Sequence, residues 1–141
     1  MKTLKNILLL CAFFAFMACT ENENFGVNED DQLIGYWINP VYNDSTITYE
    51  KANSLKENDY GFTIKANQQF EERKNSGWCG TPPISYADYE GTWSYNDSIL
   101  QIEVEYWGGM ANYTWKVMMV DQYELIIYPI DQEFEMNKEN I

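Results

Sequence analysis

Few residues of this 141-residue chain have side chains that could do covalent chemistry. Cys79 stands in the segment WCGTPP, where a thiol could act as a nucleophile. A thiol attacks as its thiolate, and it needs a neighbouring base or a lowered pKa to reach that form. The chain contains no histidine, which removes the commonest general base and the commonest metal ligand. We therefore interpret Cys79 as a packed small residue and predict no enzyme activity, no cofactor and no bound metal.

Carboxylates two residues apart are the second kind of candidate. Glu103 and Glu105 alternate with apolar residues, so both leave the same face of a strand, roughly 7 Å apart. Such a pair could hold a cation or act as an acid and a base. Because the apolar residues take the other face, we interpret the pair as a solvated surface. Glu71 and Glu72 fall on opposite faces, and an inward position for one of them would make the interior polar.

Aromatic residues make up 16% of the chain, with 11 tyrosines and 5 tryptophans. Eight of them are candidates for lining a cavity that binds a flat or apolar ligand. They are Tyr60, Phe62, Tyr89, Trp93, Tyr95, Tyr106, Tyr113 and Trp115. The same side chains could instead fill the interior of a small barrel, and we favour the filled core.

Short β-strands are the elements that would position these residues. The segment Tyr89–Trp107 is typical of a hairpin with its turn at Asn96-Asp97, and its second strand alternates apolar and polar residues without interruption. The other predicted strands are Leu33–Asn39, Ser45–Glu50, Tyr60–Ala66, Gln69–Lys74, Asn112–Val120 and Tyr123–Ile130. Pro40 and Pro129 are expected to end the first and the last of them.

About eight short strands at hairpin spacing predict an all-β fold. We expect an antiparallel up-and-down meander closed as a barrel, because closure removes exposed strand edges. A β-sandwich is the alternative.

The first 18 residues are predicted to be a leader rather than part of the fold. Lys2 and Lys5 precede the apolar run Ile7–Met17, which is too short to span a bilayer. The run ends in FMAC, which resembles the lipobox of bacterial lipoproteins. The resemblance implies that Cys19 carries a lipid and holds the protein at the outer membrane, on the cell surface or on the periplasmic face. An ordinary secretory signal is the alternative.

The residues that follow Cys19 read TENEN, which resembles the surface-export signal of lipoproteins in the Bacteroidetes. We divide the chain into a leader (1–18), an acidic tether (19–31), a barrel domain (32–131) and an acidic C-terminal tail (132–141). Without the leader, 123 residues remain, with 7 of the 9 basic residues against all 22 acidic ones, a net charge of −15. That charge predicts no nucleic-acid partner and permits a basic protein.

Two tryptophan motifs carry a second resemblance. Gly35-Tyr36-Trp37 in the first strand and GTWSY at residues 91–95 resemble the small lipocalin-like domains of Bacteroidetes lipoproteins. In lipocalins the first tryptophan closes one end of the barrel, and an arginine from the last strand packs across it. The last predicted strand here has no basic residue at its end.

The resemblance spans roughly Leu33–Ile130 and implies a lipid-anchored, non-enzymatic module that binds a small apolar or amphipathic ligand. The alternative is an acidic inhibitor or immunity-type protein that acts on a basic partner. Asp44-Ser45-Thr46 and Asp97-Ser98-Ile99 also resemble the O-glycosylation motif of the Bacteroidetes, which implies glycans on Ser45 and Ser98.

Overall fold

The computed structural model describes residues 29–77 and 80–137, which form one short helix and a closed barrel of eight antiparallel strands. The elements are α1 Glu29–Leu33, β1 Gly35–Asn43, β2 Thr46–Ala52, β3 Gly61–Ile64, β4 Gln69–Asn75, β5 Tyr86–Asn96, β6 Ile99–Tyr106, β7 Gly109–Val120 and β8 Glu124–Met136. The predicted all-β barrel is confirmed. The described part of the chain has no helix with the length and apolarity needed to cross a membrane.

Among the described strands, those of the first hairpin depart from the order of a simple meander. β3 to β8 follow one another around the wall, but β1 lies beside β3 and β2 lies beside β8. The connection between β2 and β3, residues 53–60, therefore has to pass β1. Ile38 of β1 is buried, although it does not belong to the cluster of buried side chains inside the barrel. Its side chain packs beside Gly61, as does the side chain of Leu55, which belongs to the connection. The connection thus covers the outer face of β1.

Arg73 ties this connection to the barrel wall. Its guanidinium forms a two-pronged ion pair with Asp88 of β5, with N···O distances of 2.6 and 2.7 Å, and donates a third hydrogen bond to the carbonyl of Lys56 at 2.9 Å. The planar fork of arginine suits this geometry. The one arginine of the chain therefore links β4, β5 and the crossing segment.

α1 closes one end of the barrel. Leu33, its last residue, is fully buried, and its carbonyl accepts a hydrogen bond from Trp37 Nε1 at 2.8 Å. Lys51 Nζ of β2 lies 4.8 Å from the centre of the Trp37 ring and donates to the carbonyl of Gln32 at 2.7 Å. The cation that packs on this tryptophan thus comes from β2 and not from the last strand. Leu33 was predicted to begin the first strand, and Glu29 to Asp31 were assigned to the acidic tether. Both assignments are corrected, because the helix α1 spans Glu29–Leu33.

The half of the barrel next to α1 is packed with aromatic side chains. The rings of Tyr49, Phe62, Phe70 and Trp115 form a chain of contacts with centroids 4.9–6.3 Å apart. Tyr49 and Trp115 lie at the border between this half and the open half. Edge-on and offset contacts at these distances stabilise a core beyond the burial of area alone. This half is filled, as the favoured interpretation of the sequence expects.

Pro40 does not end β1. The strand continues to Asn43 past a register shift between Ile38 and Val41, where Asn39 has a φ of 53°. A bulge takes the proline out of the ladder, so its missing N–H breaks no hydrogen bond.

Pro129 does not end β8 either. Pro129 and Asp131 pair with successive residues of β7, which leaves Ile130 as the extra residue of a bulge. β8 then runs on to Met136. Residues 132–136 therefore belong to the barrel wall, which corrects their assignment to an unstructured acidic tail.

The central hairpin forms as predicted, but its turn lies one residue later. Asp97 and Ser98 form the turn with φ of 50° and 65°, and Asn96 pairs with Ile99. Two successive positive φ angles match the type I′ turn that suits the twist of a two-residue hairpin. The inward residues of β6 are buried, and Glu103 and Glu105 are exposed on the outer face as expected.

Gly91 permits the close approach of β5 and β6, because a β-carbon there would lie 2.3 Å from the carbonyl oxygen of Glu103 and 2.8 Å from Val104 Cα. We expect Gly91→Ala to lower the free energy of unfolding by about 1–3 kcal/mol, since the obstacle is backbone. Gly77→Ala is the control, because none of the described residues has an atom within 4 Å of its β-carbon position. Urea unfolding measures both variants, and equal stability would show that the strands separate without cost.

Candidate ligand-binding site

The half of the barrel away from α1 contains an open cavity of about 460 Å³. This volume lies within the roughly 300–1,000 Å³ of sites that hold small molecules. Strands β4 and β6 end at its mouth, and β7 begins there. The interior is therefore filled at one end and open at the other, whereas the sequence favours a barrel filled throughout.

A buried ion pair forms the polar floor of the cavity. Alternation along β4 turns both Glu72 and Lys74 inward, with side chains 3% and 15% exposed. Lys74 Nζ donates to Glu72 Oε2 at 2.5 Å, and the hydroxyl groups of Tyr60 and Tyr113 donate to the same carboxylate at 2.8 and 3.2 Å. Burial of a charge is costly unless it is paired and hydrogen-bonded, and Glu72 meets both conditions.

Lys74 is surrounded by tyrosine rings. Its Nζ lies 5.5 Å from the ring centre of Tyr89, 5.9 Å from that of Tyr106 and 5.6 Å from that of Tyr113. It also donates a hydrogen bond to the Tyr113 hydroxyl at 3.1 Å. Aromatic faces attract a cation, and the attraction strengthens where water is excluded. The ammonium group is therefore held in place by the carboxylate and by three rings.

The tyrosine hydroxyls at the floor are held in their neutral form. Burial raises the pKa of Tyr60 and of Tyr113, and the negative charge of Glu72 raises both further. Burial is also the main cause of the raised pKa of Tyr49. Neutral phenols can donate to Glu72, which phenolates could not do.

The mouth of the cavity has an exposed aromatic rim. Tyr42, Trp107 and Phe134 line the cavity with exposed fractions of 72%, 40% and 55%. The Phe134 ring also packs edge-on against Tyr106, with centroids 5.4 Å apart. The rim therefore offers flat apolar surface to an incoming molecule.

The bulge at Ile130 decides which side chains of β8 line the cavity. After the bulge, Gln132 pairs with Tyr113, and both side chains line the cavity. Period 2 then sends Asp131, Glu133 and Glu135 to the outer face. A one-residue change of phase would turn these three carboxylates inward. The acidity of this strand is thus kept out of the cavity.

The structure brings only part of the predicted aromatic set to the cavity. Tyr60, Tyr106, Tyr113 and Trp115 line it. Phe62 and Trp93 belong to the filled core, Tyr95 packs against that core, and Tyr89 contributes a ring beside Lys74.

Sequence reasoning missed the central ion pair, although a signal for it existed. The adjacent Glu71 and Glu72 pointed to one inward carboxylate, and Lys74 lies two positions further, on the same face. Gln132 and the rim residue Phe134 were missed because β8 was expected to end at Ile130.

Other predicted positions are not among the cavity-lining residues or lie outside the described residues. Cys19 and Cys79 lie outside them. Ser45 is exposed in the turn between β1 and β2, and the carbonyl of Ser98 accepts a hydrogen bond from the Val117 amide at 2.8 Å. Glycosylation at these two serines stays a prediction.

Comparison of the chain with protein-family models, with curated proteins and with solved structures found no match. Within residues 29–77 and 80–137, no group of three or more acidic or cysteine side chains is arranged to hold a metal ion. What defines the site is therefore its own geometry: a small-molecule-sized cavity with an aromatic rim and a neutralised polar floor.

Removal of one partner of the buried pair should be more harmful than removal of both. We expect Lys74→Met to lower the free energy of unfolding by about 2–4 kcal/mol, because it leaves Glu72 charged and buried. The double variant Glu72→Gln/Lys74→Met should recover at least half of that loss. Lys65→Met is the control, since the pair Lys65–Glu71 is far more exposed and should contribute less than about 1 kcal/mol. Additive losses in a double-mutant cycle would contradict the coupling.

The raised pKa values of Tyr60 and Tyr113 predict a loss of stability in alkali. Above about pH 10, tyrosines of the unfolded chain ionise while these two keep their protons, so the free energy of unfolding falls as pH rises further. Tyr113→Phe should be less stable at neutral pH but should decline less steeply. Tyr123→Phe, an exposed position, should follow the wild type. Urea unfolding between about pH 8 and pH 11 measures the slopes, and parallel slopes would disprove the assignment.

Proposed function

We propose that this protein is a non-enzymatic binding module that holds a small amphipathic ligand in the open half of its barrel. The observation that carries the proposal is the cavity, which combines apolar aromatic walls with a few convergent polar groups. That combination is typical of sites that bind small molecules. Glu72 and Lys74 are engaged with each other and with tyrosine hydroxyls, which favours a role in binding over a role in proton transfer.

The resemblance to a lipobox adds a location to this proposal. A lipid on Cys19 would anchor the protein in the outer membrane through the acidic residues that follow. The described chain begins with α1, and α1 lies at the closed end of the barrel, opposite the mouth. The anchor would therefore attach to the closed end, and the mouth would stay open to the surrounding solvent for exchange of ligand.

A variant that fills the cavity tests the proposal. The neutral apolar probe N-phenyl-1-naphthylamine should bind the wild type with saturable one-to-one stoichiometry, seen as a rise in its fluorescence. Gln132→Trp places a large ring in the cavity from an exposed position of β8, so it should weaken binding by about tenfold or more.

Gln122→Trp is the matched control, because Gln122 is exposed in the turn between β7 and β8 at the closed end. It should bind the probe as the wild type does. Equal weakening by both variants, or no saturable binding by the wild type, would refute the proposed function.

A further inference from the structure

The charges inside the cavity cancel, although the whole chain has a net charge of −13. Glu72 and Lys74 are the charged members among the described residues that line it. The acids of β8 that lie nearest the mouth are turned to the outer face by the bulge at Ile130. A ligand in the cavity therefore meets one internally neutralised pair rather than the acidic field of the surface.

Hydrogen-bonding capacity remains on the ammonium group of Lys74. A lysine has three N–H donors, and Lys74 uses two of them, one to Glu72 and one to the Tyr113 hydroxyl. Among the described residues, no acceptor takes the third. The Lys74 side chain is also more exposed than that of Glu72, which is covered by its three donors. The floor therefore presents a donor to the ligand rather than an acceptor.

A charged head group would fit this floor poorly. A carboxylate on the ligand would place a second negative charge beside Glu72, with one ammonium to share between them. A cationic head would lie next to Lys74, which already occupies the space between the three tyrosine rings. Either head would bring an uncompensated charge into a partly desolvated site, and burial of such a charge is strongly unfavourable.

We propose that the cavity selects an uncharged ligand with a planar apolar body, whose carbonyl or hydroxyl oxygen accepts a hydrogen bond from Lys74 Nζ. The oxygen completes the hydrogen bonding of the ammonium group without changing the charge of the site. The planar body lies between the floor and the rim, against the faces and edges of Tyr106, Trp107 and Phe134. This inference rests on the proposed function and specifies its ligand class.

Four naphthalenes of similar size test the head group. They are 2-acetonaphthone, 2-ethylnaphthalene, 2-naphthoate and 2-naphthylmethylammonium, which present a ketone, a hydrocarbon, an anion and a cation on the same ring. Equilibrium dialysis against the purified protein at neutral pH and physiological salt measures each dissociation constant. We expect the ketone to bind about tenfold more tightly than the hydrocarbon, and both charged probes to bind more weakly than the ketone.

Variants of Lys74 connect this preference to the proposed donor. Lys74→Met should abolish the advantage of the ketone over the hydrocarbon. Because that variant leaves Glu72 unpaired, Glu72→Gln/Lys74→Met serves as a second variant that lacks both charges and keeps an acceptor for the tyrosine hydroxyls. Lys116→Met is the matched control, since Lys116 is exposed on the outer face of β7, and it should leave all four affinities unchanged.

The outcomes separate the two proposals. A charged probe that binds most tightly, or a ketone that binds no better than the hydrocarbon, would overturn the inference about the head group and leave the binding function intact. An advantage of the ketone that survives in both Lys74 variants would also overturn it. If none of the four probes binds, the proposed function fails, and the head-group inference fails with it.

Discussion

Closure of the sheet is the constraint on which the rest of the structure depends. Eight strands that close on themselves enclose a limited interior, and alternate side chains of every strand must share that space. Near α1, large rings meet and exclude water, and Leu33 and Trp37 seal the end. Towards the mouth, aromatic side chains still contact one another, but an open cavity of about 460 Å³ remains among them. The packing of the inward side chains thus divides one barrel into a filled half and an open half.

The buried ion pair lies where these two halves meet. Glu72 would oppose folding if it stood alone, because a charge in a desolvated site costs several kcal/mol. Lys74, Tyr60 and Tyr113 offset that cost by surrounding the carboxylate with donors. Burial in turn keeps the tyrosines neutral and able to donate. Each group therefore depends on the others, which gives the floor of the cavity a defined geometry.

Irregular features of the strands determine which side chains line the cavity. The bulge at Ile130 carries β8 past Pro129 and changes its phase, so that Gln132 faces the cavity while the acids face solvent. Periodicity in the sequence could not locate this change, because a bulge inserts one unpaired residue whose position depends on the partner strand. The placement of β1 beside β3 could not be predicted from the sequence for a similar reason, because pairing between strands depends on contacts that are distant in the chain.

The sequence by itself determined the all-β class, the inward face of the central hairpin and the outward position of Glu103 and Glu105, because period-2 alternation is a local property of the chain. It also contained the signal for an inward carboxylate at β4. Only the tertiary structure decided that Glu72 contacts Lys74 and also Tyr113, a residue far away in the sequence. It also decided that the barrel is filled at one end and open at the other. Those outcomes depend on how side chains from separate strands share one enclosed volume, which no local pattern records.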